Sequence, residues 1–295
     1  MNLTLTPNKS AASPDTAANA PRRRRLTRLP RRGSMAVGLV IVTVLLVVAV
    51  GSMFWTPYDP DASGVGLPYQ PPSAEHWFGT DRVGADVFSR TMAAAATDVG
   101  ITLAAVLIAL VVGTVVGAVS GFVGGAVDTV VMRFMEILQA FPALLLAMLM
   151  VAAVGPGTLN VIVVVSIVGI PNYVRLVRAE ILSKKHWQFA EAARMVGNSR
   201  SRVLFRHLLP NSMTPVIGFS SVNASWVAVI VASLGFIGLG IEPGSAEWGS
   251  MISRGQDSIL SGEWWISTFP GIAILVLSAA FYLIGDGLTE SGEQR

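Results

Sequence analysis

Long uncharged apolar blocks run through this chain and leave few folds open to it. Residues Met35 to Trp55 carry no charge. At about 1.5 Å of rise per residue, such a block crosses a hydrocarbon core of ~30 Å as a helix. Further uncharged blocks lie within Val99–Val127, Ile137–Val174, Ser212–Ile241 and Trp264–Gly285. The block from Ile137 to Val174 exceeds one crossing, and Gly155-Pro156-Gly157 in its middle is a turn signal. It therefore reads as two spans, Val131–Val154 and Leu159–Val177. The expected fold is an all-α integral membrane protein of about six transmembrane helices. Charged residues make up 13% of the 295. A soluble domain carries about 25%, so the charge supply is too small for a water-facing surface. The absence of cysteine excludes disulfides, thiol catalysis and thiolate metal sites, and His76, His186 and His207 are too scattered for a histidine metal centre.

The ends and loops set an orientation. The first block is too long for a signal-peptide core of about 7–15 residues and is read as a retained helix, residues 35–56. Ahead of it, residues 1–34 are rich in Ala, Ser, Pro and Thr and close on the arginines Arg22 to Arg25, Arg28, Arg31 and Arg32. This segment reads as a disordered basic tail drawn to anionic lipid, not as a nucleic-acid binder. With that tail cytoplasmic, only Arg82, Arg90 and Arg254 of 21 Lys and Arg fall outside. Both termini are therefore expected in the cytoplasm, including a tail over 289–295. Residues 57–97 form an external segment whose prolines (Pro57, Pro60, Pro68, Pro71 and Pro72) favour an extended path without hydrogen bonds. Within it, Asp81, Arg82, Asp86 and Arg90 are expected to form local ion pairs that order the start of the second span. A five-helix core then occupies 98–288.

Inside the spans, Gly113, Gly117, Gly121 and Gly125 recur every fourth residue and share one helix face, where small residues let another helix approach closely. Ionisable groups are few. Asp98 sits at the near edge of the second span, Arg133 and Glu136 are spaced to pair on one face of the third, and Asp286 closes the sixth. The chain of buried carboxylates that a proton-coupled carrier uses is absent from this pattern. The membrane part reads as a conduit whose energy comes from elsewhere.

The most informative stretch is residues 183–211, between the fourth and fifth spans. Phe189, Ala192, Ala193 and Val196 follow an i, i+3, i+4, i+7 pattern, giving a short helix with one apolar face. Gly197 fits its left-handed C-terminal cap. Asn198 or Ser199 can cap a second short helix through Val203, Leu204 and Leu208 that stops before Pro210. The result is a two-helix elbow.

The run Glu191-Ala192-Ala193, the glycine at 197 and Leu209-Pro210 resemble the signature of the membrane subunits of bacterial ABC importers. Other segments are similar to one branch of that family, the peptide/nickel permeases of dipeptide and oligopeptide transport, and there to the second (DppC/OppC-like) permease. They are Trp77-Phe78-Gly79-Thr80-Asp81, Gly84 to Arg90, Arg206 to Asn211, Ser233 to Gly240, Glu247-Trp248-Gly249 and Gly285 to Leu288. Ala85, where the branch has arginine, and the tail after Leu288 depart from it. The resemblance implies the type I importer permease fold and a non-catalytic subunit of a transport ATPase in the bacterial cytoplasmic membrane. Its implied partners are a second, different permease, two ATPase subunits and an external binding protein. It implies that ATP and Mg are used by the ATPase subunits and that this chain binds no cofactor. None of its lysines (Lys9, Lys184, Lys185) follows a glycine, so it carries no phosphate loop. The elbow becomes the coupling element, with Phe189, Glu191, Ala192, Ala193, Gly197, His207, Leu209 and Pro210 as its residues. The competing readings are a secondary transporter and a membrane assembly protein without an ATPase.

Overall fold

The computed structural model describes residues 31–242 and 244–292, and among these the backbone is helical apart from loops and one isolated bridge, Thr80 with Asp86. What was read for residues 1–30 and 293–295 lies outside the described residues. Helix α1 covers Arg31–Ser52, so residues 31–34 begin the first span and do not end a tail. Helix α2 covers Val87–Val123, α3 Gly125–Gln139, α4 Ala143–Val154 and α5 Thr158–Lys184. After the elbow helix α6 (Gln188–Met195) come α7 (Arg200–Arg202), a π-helical stretch Val203–Leu208, α8 (Leu209–Phe236), α9 (Trp248–Gly255) and α10 (Trp265–Gly292). Helix α10 thus runs past Leu288 into the expected tail. Five helices are long and apolar enough to cross a membrane, and the broken pair α3–α4 makes six.

Helix α2 begins ahead of the expected position because Asp86 caps it. One Asp86 oxygen accepts from the Ser89 N–H at 2.8 Å and its hydroxyl at 2.7 Å, and the other meets His76 Nδ1 at 2.9 Å. The expected ion pairs in this segment give way to backbone contacts. Arg90 donates to the carbonyls of Pro60 and Gly244, and Asp81 accepts from the N–H groups of Val83 and Ala85. The proline-rich path is not free of hydrogen bonds either. Gly64, Gly66 and Tyr69 donate to the carbonyls of Val83, Gly84 and Asp81, so residues 64–69 fold back along 81–84. The backbone polar groups of this loop pair within the segment.

The third span is broken. Helices α3 and α4 meet at 86°, where one straight crossing over 131–154 was expected. Pro142 is the cause: it cannot continue the α3 hydrogen bonds, and it disfavours helical geometry at Phe141 before it.

Helix α2 packs along α5, and the glycine series explains how closely. A Cβ on Gly113 would lie 2.4 Å from Tyr173 Cβ, one on Gly117 2.5 Å from the Val174 carbonyl, and one on Gly121 2.9 Å from the Arg178 carbonyl. The face lies inside the subunit. Gly125 has left it: with φ +57° it opens α3 and has no neighbour at its Cβ position. Overpacking of such a contact costs about 1–3 kcal/mol. Gly117→Ala should therefore lower the thermal aggregation midpoint in detergent. Gly100→Ala, on the same helix with open space around it, should raise it slightly through helix propensity. Equal midpoints for the two variants would mean that the α2–α5 approach tolerates a methyl group.

Candidate functional site

The elbow is built from a short helix stopped by a glycine. Helix α6 ends in a cap of Schellman type: Gly197 N–H donates to the Arg194 carbonyl at 3.0 Å and Asn198 N–H to the Ala193 carbonyl at 3.4 Å. Asn198 Nδ2 adds a bond to that same carbonyl at 2.9 Å. Gly197 has φ +84° and nothing near its Cβ position, so backbone conformation alone selects glycine there. Ser199 then accepts from Arg202 N–H and starts the next helix.

That next helix does not stop before Pro210. It passes through the π-helical stretch into α8, giving one continuous rod, Arg200–Phe236. Leu209 N–H donates to Leu204 five residues back, and the wider turn admits the proline ring. Side chains add further bonds at this root. Asn211 Nδ2 donates to the His207 carbonyl at 2.7 Å, and Lys184 Nζ, which also pairs with Glu180, donates to the Asn211 carbonyl. His207 and Leu209 lie half-buried at this root, and Pro210 is exposed.

Packing sorts the remaining elbow residues into two faces. Ala190, Ala193, Val203, Leu204 and Leu208 are buried against Ala118, Tyr173, Val177 and Ile181, with Phe189 partly covered beside them. Arg194 reaches the Lys185 carbonyl and lies over the Phe122 ring. The expected apolar stripe is only half right. Ala192 and Val196 point outward, and Ala190 replaces them on the packed face. The outer face therefore presents Glu191, Ala192, Met195 at 89% exposure, Val196 at 83% and Trp187 at 53%. Apolar side chains left exposed together on a rigidly anchored tip are the kind of surface that suits contact with another molecule.

Two further polar sites escape inspection of the sequence. Asp128 at the start of α3 and Arg178 near the end of α5 form a two-bonded ion pair, with both bonds at 2.5 Å, and Ser120 also donates to Asp128. Their separation of 50 residues hid the pair. At the opposite end of the molecule, Glu247 caps α9 by accepting from Gly249 and Ser250 N–H groups, each at 2.7 Å. Trp248 N–H donates to the buried Asp98, and its indole N–H to the Thr91 carbonyl. Burial pushes the Glu247 carboxyl above the ordinary glutamate range, against the pull of the N–H groups it accepts. The glycines explain the seat. A Cβ on Gly235 would lie 1.9 Å from Glu247 Oε2, and one on Gly249 2.0 Å from the Ala232 carbonyl. The Ser233–Gly240 run and Glu247-Trp248-Gly249 are thus two halves of one structure.

Residues 113–295 match the family described as "Binding-protein-dependent transport system inner membrane component". The chain is 36% identical over 251 residues to "Probable D,D-dipeptide transport system permease protein DdpC" of Escherichia coli (strain K12), an alignment covering 85% of this chain and 84% of that protein. It is 34% identical over 289 residues to "Dipeptide transport system permease protein DppC" of Alkalihalophilus pseudofirmus, covering 98% and 95%. It is 39% identical over 267 residues to "Glutathione transport system permease protein GsiD" of Shigella flexneri serotype 5b, covering 88% and 86%.

Proposed function

Because the chain belongs to the membrane permease subunits of binding-protein-dependent ABC importers, which are non-catalytic members of their complexes, we propose that it carries small peptides inward, driven by ATPase subunits that dock on its elbow. Peptide is the cargo class common to the relatives, whose names specify D,D-dipeptide, dipeptide and glutathione, itself a small peptide. The complete importer then holds a second, different permease, two ATPase subunits that consume ATP and Mg, and an external binding protein that delivers cargo.

The observation that carries this reading is the anchored elbow with an apolar outer face. Met195, Val196 and Ala192 fill a groove on the ATPase, and Glu191 pairs with a basic group or a helix N-terminus at its rim. Phe189 and Ala193 hold the tip on the subunit, and Gly197 sets its aim. His207, Leu209 and Pro210 form the root that joins the tip to the rod. Purification of the chain from native membranes should bring down both an ATPase subunit and a second permease. Met195→Glu should release the ATPase and keep the permease. Recovery of the wild-type chain with no ATPase would end this reading.

The same reading places both termini and the elbow in the cytoplasm of a bacterial cell, on the strength of the Lys and Arg distribution. The natural lack of cysteine gives a clean background for a test. Ser73→Cys and Ser199→Cys both alter exposed positions. An impermeant thiol reagent added outside intact cells should label the first and spare the second, and the reverse pattern would overturn the orientation.

A further inference from the structure

The exposed faces of the other spans are apolar, as lipid requires: Val40, Val44 and Val47 on α1, Trp226 and Val229 on α8, Ile272 and Leu275 on α10. Helices α3 and α5 differ. Between them runs a polar strip bounded at one end by the Asp128–Arg178 ion pair and at the other by a bond from Gln139 Nε2 to Asn172 Oδ1 at 3.0 Å. Arg133 and Glu136 lie along it, and a 560 Å³ cavity opens over its outer half, lined by these two, Asp128, Arg175 and Arg178 among others.

The packing register gives the depth of the strip. Arg178 sits beside Gly121, close to the α2 end at Val123, and follows directly on the fourth span as read from the sequence, Leu159–Val177. Arg175 is about one helical turn deeper, and Asn172 nearly two, or ~9 Å. Ionisable and amide side chains at such depth face water or a protein cavity, because lipid leaves them without partners.

The charges in the cavity do not cancel. Arg178 is matched by Asp128. Arg133 is matched by Glu136 at 2.9 Å, but with side chains 79% and 51% exposed that pair is weak and easily exchanged. Arg175 is exposed and has no carboxylate within ion-pair distance among the described residues. A free guanidinium fork is suited to bidentate capture of a carboxylate. We propose that this strip lines the cytoplasmic half of the cargo path, and that Arg175 receives the terminal carboxylate of the passing peptide while Glu136 on the facing helix meets its amino group. The cargo part rests on the peptide reading above. The water-filled, anion-attracting path does not.

The test uses the complete complex in inside-out vesicles. Asn172→Cys should react with impermeant methanethiosulfonate reagents, and the anionic sulfonate should react severalfold faster than the cationic ammonium form. Adding Arg175→Gln should abolish that preference, and Arg175→Lys should retain it. In intact cells, and in the background without the cysteine, Arg175→Gln should lower dipeptide uptake about tenfold, the loss expected for one charge-assisted hydrogen bond. Failure of the Asn172→Cys variant to react, with Leu275→Cys equally silent, would place the strip against lipid or a partner and overturn the proposal. A charge preference indifferent to Arg175 would overturn the role given to that residue. If labelling behaves as expected but intact cells that depend on the wild-type complex take up no dipeptide, the peptide reading fails and the path remains.

Discussion

Replacing Gly197 with valine should abolish uptake while leaving the protein in the membrane. The residue sits at φ +84° in the cap that turns α6 toward α7, with no atom near its Cβ position. The cost is therefore backbone strain alone, roughly 1–2 kcal/mol for a residue with a side chain in this region. The spans insert on their own apolarity and are indifferent to it. The elbow, however, has two ways to relieve that strain. It can unwind its last turn or swing the Glu191–Val196 tip off its seat on Ala118, Tyr173, Val177 and Ile181. Either motion misplaces the outer face proposed above to meet the ATPase. A graded series separates strain from crowding: asparagine, which tolerates the left-handed region, should retain most uptake, alanine less, and valine almost none. Glu191→Ala should lower uptake through a different route, by removing one charge from the contact without moving the helix. Uptake and cargo-stimulated ATPase activity of the reconstituted complex report both effects. Normal transport by the valine variant would show that the aim of the elbow is irrelevant.

The second large effect is expected at the opposite end. Gly235→Ala should cost more than the about 1–3 kcal/mol of ordinary overpacking. The added methyl would meet Glu247 Oε2 at 1.9 Å, and that carboxylate is fixed by two N–H groups of α9 and enclosed with Asp98. The glutamate cannot swing aside without unpairing the buried Gly249 N–H, at about 1–3 kcal/mol, and the half-buried Ser250 N–H. Gly235→Ala should therefore fail to accumulate in the membrane, or aggregate well below the wild type on heating in detergent. Glu247→Ala is informative beside it. It removes the cap and the obstacle together, so Gly235→Ala with Glu247→Ala should be little worse than Glu247→Ala alone. Full additivity would show that the two residues do not meet.

These cases mark what could be read from the sequence and what could not. The spans were legible because each is a run of uncharged residues, and Gly155-Pro156-Gly157 stood between two of them. The elbow glycine was legible because a left-handed cap follows directly after an amphipathic run. The break at Pro142 was not, because the hydropathy on both sides of it is unbroken and only the imino acid marks the bend. The stop expected at Pro210 failed for the opposite reason. A proline signal was present, but the wider π-helical turns ahead of Pro210 carried the helix through it. Ala192 and Val196 were grouped with Phe189 and Ala193 on one apolar face by an eight-residue pattern too short to fix the rotation of the helix. The Asp128–Arg178 pair and the Gly235–Glu247 seat depend on chain folding over long separations, which no local pattern records.

The uninterrupted helix from Arg200 to Phe236 carries a mechanical consequence. Its 37 residues make a rod of ~55 Å. One end is rooted in the elbow, and Gly235 at the other lies against Glu247. A hinge or loop between them would absorb small displacements. A stiff lever transmits them and enlarges them with distance from the fulcrum: a tilt of about 10° displaces one end by ~10 Å relative to the other over that length. The fulcrum lies where the rod is gripped on both sides, near the contacts of Val216 and Phe219 with the α2–α5 pair and of Val222 with α10. The gearing between the elbow and the far end of the rod is thus set by where along α8 these contacts fall. Lengthening or shortening the helix by a full turn on one side of them would change the stroke while leaving every contact surface intact.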